Sequence, residues 1–284
     1  MNILFSIDKH YIPQARVMLM SLLRYHPNQQ IQAYLLHSSL THNELDDLTS
    51  GFPKTHFHLN PIRIDDEQIK SFPVTSRYPT EIYYRIFAAH FLPESLERIL
   101  YLDPDLIVRG DLTELYHLEM GEAFYAAASH VQKPLQVLNT IRLSMDEMGP
   151  YINSGVLLMN LSQLRRDQKM DEVFQYVDRK KTSLILPDQD IISGLYFNRI
   201  IEINTYIYNM TEKLLTQNRL TGGPIDLQWV EKNSLIIHYC GRNKPWKDNY
   251  NGRLDRYYHQ MFGYAEATLS QTKKGAGTKG PDAP

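Results

Sequence analysis

The most constraining feature of the chain is the apolar run Ile99–Val108, which two aspartates, Asp103 and Asp105, interrupt. Side chains two positions apart in an extended segment point to the same side, so both carboxylates should leave one face where the strand ends. Two like charges this close need a shared cation. Carboxylate oxygens suit Mg²⁺ or Mn²⁺, which usually keep water and substrate phosphate as further ligands. The run therefore predicts a buried strand that ends at a metal site for a phosphorylated small molecule.

The motif has two other interpretations. An EF-hand calcium loop needs glycine at its sixth position, and here that position is Val108, so this interpretation fails. A loop of exposed acids stays open on the motif alone. The position after a buried strand favours a binding site, because ligands of α/β sheets gather at the carboxyl ends of strands.

Charge excludes one class of partner. The chain has 284 residues, 30 of them basic and 32 acidic, and 43% are hydrophobic. This composition is typical of a folded protein with one large core. A net charge of −2 provides no positive field for nucleic acid, so we expect no nucleic-acid partner.

Cysteine content and hydropathy predict the location. Cys240 is the only cysteine, which excludes an intramolecular disulfide and is typical of a reducing cytosol. Asp8 and Lys9 follow the first apolar residues too soon for a signal peptide. No apolar run approaches the roughly 18 residues of a membrane span. We expect a cytoplasmic protein.

Strand-like and helix-like patterns alternate along the chain. Strands are predicted near residues 3–7, 31–36, 56–64, 99–108, 124–128, 156–160, 200–204 and 235–239. Helices are predicted at 12–25, between a capping box at Thr41 and Gly51, from Thr80 to Phe87, after a cap at Ser162, and after Pro187. This βαβ rhythm predicts an α/β fold, a single Rossmann-like domain with a mixed, mostly parallel sheet.

The end of the chain changes character. Residues 251–270 are predicted to form a short helical extension, and 271–284, rich in lysine and glycine, a disordered tail. The bases and aromatics at 253–262 fit either a helix packed on the domain or peripheral contact with the inner membrane face.

The two aspartates imply a phosphorylated ligand, yet the glycine-rich loops that usually bind phosphate through backbone N–H groups are missing. The chain has neither a dinucleotide-binding glycine fingerprint nor a P-loop, which weakens kinase, ATPase and dehydrogenase interpretations. The segment His238–Trp246 offers side chains instead. His238 closes an apolar strand and would shift the metal preference from Mg²⁺ toward Mn²⁺. Lys244 could meet a phosphate oxygen, while a buried core histidine and a packing Trp246 are the structural alternatives.

Together these motifs resemble glycosyltransferase family 8, which includes bacterial galactosyl- and glucosyltransferases and glycogenin. The resemblance covers about residues 1–250, which we expect to form one catalytic domain. The motifs that carry it are Ile3–Asp8, Tyr83–Arg85, Leu102–Asp105, Asn153–Gly155, Pro187–Asp190, and His238 with Gly241 and Lys244–Trp246.

The resemblance implies a GT-A type fold for nucleotide-sugar binding and retention of anomeric configuration. It implies UDP-galactose or UDP-glucose as donor, a glycan, glycolipid or glycoprotein as acceptor, and Mn²⁺, or Mg²⁺, as cofactor. The implied metal ligands are Asp103, Asp105 and His238. The implied donor contacts are Asp8, Tyr11, Arg85, Asp103, Asp105, Gly241 and Lys244, and the implied catalytic residues are Asn153, Asp188 and Gln189.

Several of these residues also have a structural alternative. Asp8 could cap the following helix, Arg85 could pair with Asp105 alone, and Asn153–Gly155 could be a turn before a strand. His130 stands where relatives often carry an acid that touches the sugar, which leaves the sugar open. Acceptor choice is expected in variable loops such as 132–150.

The nucleophile and the activity also stay open. Gln189 is a poor nucleophile, Asp188 and Asp190 are alternatives, and same-face attack by the acceptor needs none of them. Besides a transferase, a non-catalytic or hydrolytic UDP-sugar-binding stress protein and a nucleotidyltransferase fit the same donor chemistry.

Overall fold

The computed structural model describes residues 1–65, 67–70, 72–74, 79–131 and 133–276. Its strands are β1 Asn2–Ser6, β2 Ile31–His37, β3 Phe57–Arg63, β4 Arg98–Leu102, β5 Leu106–Val108, β6 Tyr125–Ser129, β7 Ile152–Asn160, β8 Ile200–Glu202 and β9 Ile236–His238. Its α-helices are α1 Ile12–Tyr25, α2 His42–Thr49, α3 Glu67–Lys70, α4 Ala88–Phe91, α5 Thr113–Tyr116, α6 Lys133–Leu143, α7 Leu161–Asp167, α8 Met170–Lys180, α9 Pro187–Tyr196, α10 Thr205–Tyr208, α11 Glu212–Leu220, α12 Leu227–Asn233 and α13 Asp255–Ala276. Short 3-10 helices span Lys9–Tyr11, Thr80–Tyr83 and Phe197–Arg199.

Within the described residues, seven strands form one mixed sheet in the order β3-β2-β1-β4-β7-β6-β8. The strands β3, β2, β1 and β4 run parallel, β7 is antiparallel to both of its neighbours, and β8 is parallel to β6. The strands β5 and β9 form a separate antiparallel pair. The predicted α/β fold with a mostly parallel mixed sheet is confirmed.

The central strands of the sheet are buried on both faces. Along β1, Ile3 and Phe5 pack into one apolar cluster and Leu4 packs into another, and β4 alternates in the same way. Strands covered on both faces read as continuous apolar runs, which explains the hydrophobic sequence of β1 and β4. The first charged residues after β1 and β4 are Asp8 and Asp103, at the carboxyl edge of the sheet.

The apolar run of the sequence analysis is two strands rather than one. β4 ends at Leu102 in the large sheet, and β5 begins at Leu106 in the small one. Between them, the Asp103 amide donates to the Gly155 carbonyl at 2.8 Å, and the Tyr239 amide donates to the Asp105 carbonyl at 2.9 Å. The chain changes sheets at this point, so the two aspartates lie in the connection.

Three other local predictions are wrong. Thr80 does not cap a regular helix to Phe87: Pro79 precedes a 3-10 helix, and the turns that follow it to Phe87 continue with i→i+3 backbone hydrogen bonds. Asn160, not Ser162, caps α7 by accepting from the Gln163 amide at 3.2 Å, and α8 follows as a second helix. Most of the predicted loop 132–150 is helical, as α6, and Gln132 lies outside the described residues.

Other local predictions are confirmed. Thr41 and Glu44 form the predicted capping box at the start of α2, and Gly51 after this helix has a positive φ of 82°. Pro187 lies at the first position of α9, where a missing N–H costs nothing.

The helix α13 packs against the domain through one apolar face. Leu254, Tyr257, Tyr258, Met261 and Ala265 are buried, and the helix contacts α1. This spacing supports the packed-helix alternative for the basic and aromatic segment. Residues 271–276, predicted to be disordered, continue the helix, and 277–284 lie outside the described residues. Among the described residues, none of the helices combines the length and the apolar content that crossing a bilayer requires.

We expect Gly194→Ala to lower the free energy of unfolding by about 1–3 kcal/mol, because overpacking a buried contact strains both neighbours. A methyl group there would lie 2.0 Å from the Tyr176 hydroxyl, where α9 crosses α8. Denaturant unfolding measures the loss, and Gly194→Ala with Tyr176→Phe should recover part of it. Gly263→Ala, which has open space in α13, should be neutral or stabilising. Equal stability of wild type and Gly194→Ala would contradict this packing.

Candidate active site

A cavity of about 740 Å³ opens at the carboxyl ends of β1 and β4. It is closed on the other sides by β7, the start of α9 and the segment after β9. All the residues predicted to bind metal, donor or transferred sugar line it: Asp8, Tyr11, Arg85, Asp103, Asp105, Asn153, Asp188, Gln189, His238, Gly241 and Lys244. The structure thus brings together residues that are up to 236 positions apart, Asp8 and Lys244 (244 − 8).

Asp103, Asp105 and His238 form a compact group. One ligand atom of each lies within 4.8 Å of the other two. The His238 Nε2 atom is 3.1 Å from Asp105 Oδ1 and 3.6 Å from Asp103 Oδ2. Two carboxylates and one imidazole on this spacing fit a divalent cation such as Mn²⁺.

Two buried cations neutralise the carboxylates. Lys244 donates to Asp105, and Arg85 pairs with Asp103 at 2.9 Å and with Asp188 at 3.2 Å. Burial alone would raise the pKa of Asp105, but the charges of Lys244 and His238 outweigh it and hold that pKa below its usual range. Burial opposes the charge of Arg85, yet Asp103 raises its pKa further. The alternative in which Arg85 pairs with Asp105 alone is therefore wrong.

Asp188 and Gln189 enter the cavity from the first turn of α9. The Ser154 hydroxyl donates to Asp188 Oδ2 at 2.6 Å, and the Asn153 amide donates to Gln189 Oε1 at 2.8 Å. Burial raises the pKa of Asp188 despite the nearby Arg85. Asn153 and Ser154 belong to β7 itself, so the alternative of a turn before that strand is also wrong.

Asp190, two positions further on, has a different role. It is fully buried and does not line the cavity. Its carboxylate accepts from Arg142 on both oxygens at 2.7 Å, from the Tyr151 hydroxyl at 2.7 Å, and from the Ile185 amide at 2.6 Å. These bonds hold the segment before α9 in place, and they leave Asp190 unsuited as a nucleophile.

Asp8, Tyr11 and Gly241 line the outer part of the cavity. Asp8 Oδ1 accepts from the His10 amide at 2.8 Å, so the capping alternative is realised, and the residue still faces the cavity. The Tyr11 ring meets Trp246 edge-on at 6.4 Å between centroids. Gly241 has a φ of 90°, which an L side chain rarely adopts, so the chain can turn there toward Lys244.

His130 is a neutral polar residue at this cavity. Its Nε2 atom donates to the Asn209 carbonyl at 2.9 Å, since a carbonyl oxygen can only accept. Burial lowers the pKa of His130 to about 4. His130 is therefore uncharged at neutral pH, unlike the acid that relatives often carry at this position.

Sequence reasoning missed Tyr101 and Asn209. The Tyr101 hydroxyl donates to Asp103 Oδ1 at 2.9 Å, and the guanidinium of Arg85 lies 4.3 Å from the centre of its ring. Tyr101 lies within an apolar strand, which marks it as a core residue. The signal that could have found it is its hydroxyl, because a buried tyrosine hydroxyl usually has a hydrogen-bond partner. Asn209 is fully buried beside His238, and nothing in its local sequence marks it.

Comparison with known proteins gives the family and the fold. The sequence model described as Glycosyl transferase family 8 matches residues 2–250. A lipopolysaccharide 1,2-glucosyltransferase of Escherichia coli is 25% identical over 92% of this chain and 77% of its own. General stress protein A of Bacillus subtilis is 24% identical over 92% of this chain and 93% of its own. The crystal structure of the galactosyltransferase LgtC with donor and acceptor sugar analogues superposes with a TM-score of 0.81 at 23% identity, over 93% of this chain and 96% of that one.

The fold is that of the GT-A glycosyltransferases. The chain belongs to glycosyl transferase family 8. The family, the fold and the enzyme class predicted from the sequence are thereby confirmed.

Asp190→Asn should destabilise the protein by about 3 kcal/mol, because an amide cannot accept on both sides from the donors that surround this fully buried carboxylate and does not balance the half-buried Arg142. The free energy of unfolding from a denaturant titration measures this. The matched control is Asp178→Asn, whose carboxylate is 78% exposed beside Lys181 and should change nothing measurable. A stable Asp190→Asn protein that has lost activity would instead indicate a direct role in the reaction.

Proposed function

We propose that the protein is a retaining hexosyltransferase that moves galactose or glucose from a UDP-sugar to a glycan, glycolipid or glycoprotein acceptor, with Mn²⁺ as cofactor. One observation carries the proposal: the group Asp103, Asp105 and His238 shares a cavity with Lys244 and with Asp188 and Gln189. The names of the relatives, a glucosyltransferase among the sequences and a galactosyltransferase among the structures, support hexose transfer.

The donor set supports a divalent cation. Two carboxylate oxygens and one imidazole nitrogen converge, and their spacing suits a single ion. When bound, Mn²⁺ would supply Lewis-acid stabilisation of the charge that develops on the leaving diphosphate. Mg²⁺ is the alternative ion, and the imidazole favours Mn²⁺ over it.

The diphosphate is assigned to the positive side of the cavity. Lys244 is buried, its pKa is raised because Asp105 outweighs the effect of burial, and it lies beside the proposed metal ligands. A buried ammonium group stabilises phosphate charge more strongly than an exposed one. Gly241 lets backbone approach the phosphates closely, and Asp8 and Tyr11 are assigned to the nucleoside.

The transferred sugar is assigned to Asn153, Asp188 and Gln189. Asp188 is held by Ser154 and Arg85, and Gln189 is held by Asn153. An amide is a poor nucleophile, and a carboxylate held by two donors is a better source of electrostatic stabilisation than of a new bond. We therefore favour same-face attack: the acceptor oxygen bonds to the anomeric carbon, the bond to the phosphate oxygen breaks, and the acceptor proton passes to that oxygen.

Release of UDP, measured with and without acceptor, separates this function from three alternatives. A non-catalytic UDP-sugar-binding protein would release none, and a nucleotidyltransferase would release pyrophosphate or consume it. A hydrolytic protein would release UDP at a rate that no acceptor changes, whereas a transferase turns over faster with its acceptor.

A cytoplasmic location, with contact at the inner membrane face, stays a prediction.

UDP affinity should depend on the divalent ion, because Asp103 and Asp105 repel a diphosphate unless a cation bridges the charges. Calorimetry with Mn²⁺ and with EDTA should differ at least about tenfold in dissociation constant, as expected for loss of a metal-mediated contact of about 1.4 kcal/mol. His238→Ala should show the same loss, while His42→Ala, an exposed histidine, should not. Equal affinity with EDTA and with Mn²⁺ would overturn the metal assignment.

Asp188→Asn should reduce donor-sugar hydrolysis, measured without acceptor, by at least about tenfold, or roughly 1.4 kcal/mol of transition-state stabilisation. The carboxylate offsets positive charge that develops on the sugar, so kcat should fall while UDP affinity hardly changes. Asp171→Asn, an exposed acid in the first turn of α8, is the matched control. Unchanged hydrolysis would transfer the catalytic role to the substrate itself.

A further inference from the structure

Asn209 lies between two parts of the active site that the sequence motifs treat separately. Its side chain is fully buried at the end of α10. Its Oδ1 atom is 2.9 Å from His238 Nδ1, and its Nδ2 atom is 2.9 Å from Asn153 Oδ1. A single amide therefore connects a proposed metal ligand with a proposed sugar contact.

The direction of the hydrogen bonds made by Asn209 follows from one backbone N–H group. The Gly155 N–H, which can only donate, points at Asn153 Oδ1 at 3.2 Å and so defines which end of that amide is oxygen. The Asn209 atom that faces the same oxygen must then be the NH₂ group. Its oxygen consequently faces His238, so the Nδ1 atom of His238 carries a proton, while Nε2 lies 3.1 Å from the Asp105 carboxylate.

This hydrogen-bond direction orients both the His238 ring and the Gln189 amide. With a proton held on Nδ1, Nε2, which lies beside Asp103 and Asp105, is the nitrogen left to bind a metal ion. On the other side, Asn153 Nδ2 donates to Gln189 Oε1, which orients the Gln189 amide in the cavity.

The backbone of Asn209 is itself held firmly. Its amide donates to the Thr205 carbonyl at 3.0 Å, and its carbonyl accepts from His130. The next residue, Met210, exchanges backbone hydrogen bonds with β9: its amide donates to Ile236 and its carbonyl accepts from His238. The amide of Asn209 is thus placed by the same strand that carries the histidine.

We propose that Asn209 is a positioning residue that sets the ring tautomer of His238 and, through Asn153, the orientation of Gln189. The inference rests on the proposed function in taking His238 as a metal ligand and Gln189 as a sugar contact. Partners that orient a metal-binding histidine typically change metal affinity by about 10–100-fold when they are lost. We expect a loss of this size for Asn209.

The first test is the tautomer of His238 in metal-free protein. In a long-range ¹H–¹⁵N correlation spectrum with labelled histidine, Nδ1 of wild-type His238 should carry a proton. In Asn209→Leu, which keeps the shape without hydrogen bonds, the Nε2–H form should appear, because Asp105 remains to accept from it. An Nε2–H ring in the wild type, or no change in Asn209→Leu, would overturn the inference.

The second test separates the two sides. Asn209→Asp keeps an acceptor for His238 but cannot donate to Asn153, so it tests the Gln189 side alone and keeps the proposal falsifiable should Asn209→Leu not fold. Mn²⁺ affinity should fall about 10–100-fold in Asn209→Leu and stay within about threefold in Asn209→Asp, while kcat for hydrolysis falls in both. Asn204→Ala removes only the cap of α10 and should change neither quantity. Equal Mn²⁺ affinity in Asn209→Leu and wild type, or an equal loss in Asn204→Ala, would contradict the positioning role.

The tautomer requires neither metal nor donor. A wild-type protein that binds no Mn²⁺ and releases no UDP, yet shows the expected change of tautomer, would refute the proposed function and leave the role of Asn209 intact. Normal turnover with an unchanged tautomer would do the reverse.

Discussion

The site depends on the pairing of β5 with β9. This antiparallel ladder places Leu106 opposite His238, and the Tyr239 amide closes it by donating to the Asp105 carbonyl. Residues 133 positions apart in sequence, Asp105 and His238, thereby come within hydrogen-bonding distance. Because β4 belongs to the large sheet and β5 to the small one, the connection between them is held at both ends. A short, fixed connection is what allows two carboxylates to face one point.

Charge balance explains how such a site folds. Three carboxylates, those of Asp103, Asp105 and Asp188, lie in a largely buried cavity, where isolated charges would be costly. Arg85 bridges two of them and Lys244 meets the third. Removing Arg85 or Lys244 leaves buried carboxylates without a cation, so we expect either change to lower stability, whereas Arg85 keeps one carboxylate partner when Asp103 or Asp188 is replaced.

Much of this arrangement can be predicted from the sequence because the polar site residues lie where strands end or helices begin. Asp8 and Asp103 follow buried strands, and Asp188 follows a proline that starts a helix, so each position can be predicted locally. The division of the Ile99–Val108 run could not be predicted, since it depends on a distant strand that captures β5. Asp188 lines the cavity whereas Asp190 pairs with Arg142. This difference depends on which side of α9 faces Arg142, a tertiary contact that the local sequence does not show. Asn209 has partners 29 and 56 positions away and no local pattern.

The most direct measurement is a titration of the protein with Mn²⁺ in the presence of UDP, followed by the electron paramagnetic resonance of the free ion. The account predicts one Mn²⁺ bound per chain, with binding lost when Asp103, Asp105 or His238 is replaced singly by alanine in proteins that remain folded. A free-ion signal that the wild-type protein does not reduce, or binding that survives all three replacements, would contradict it.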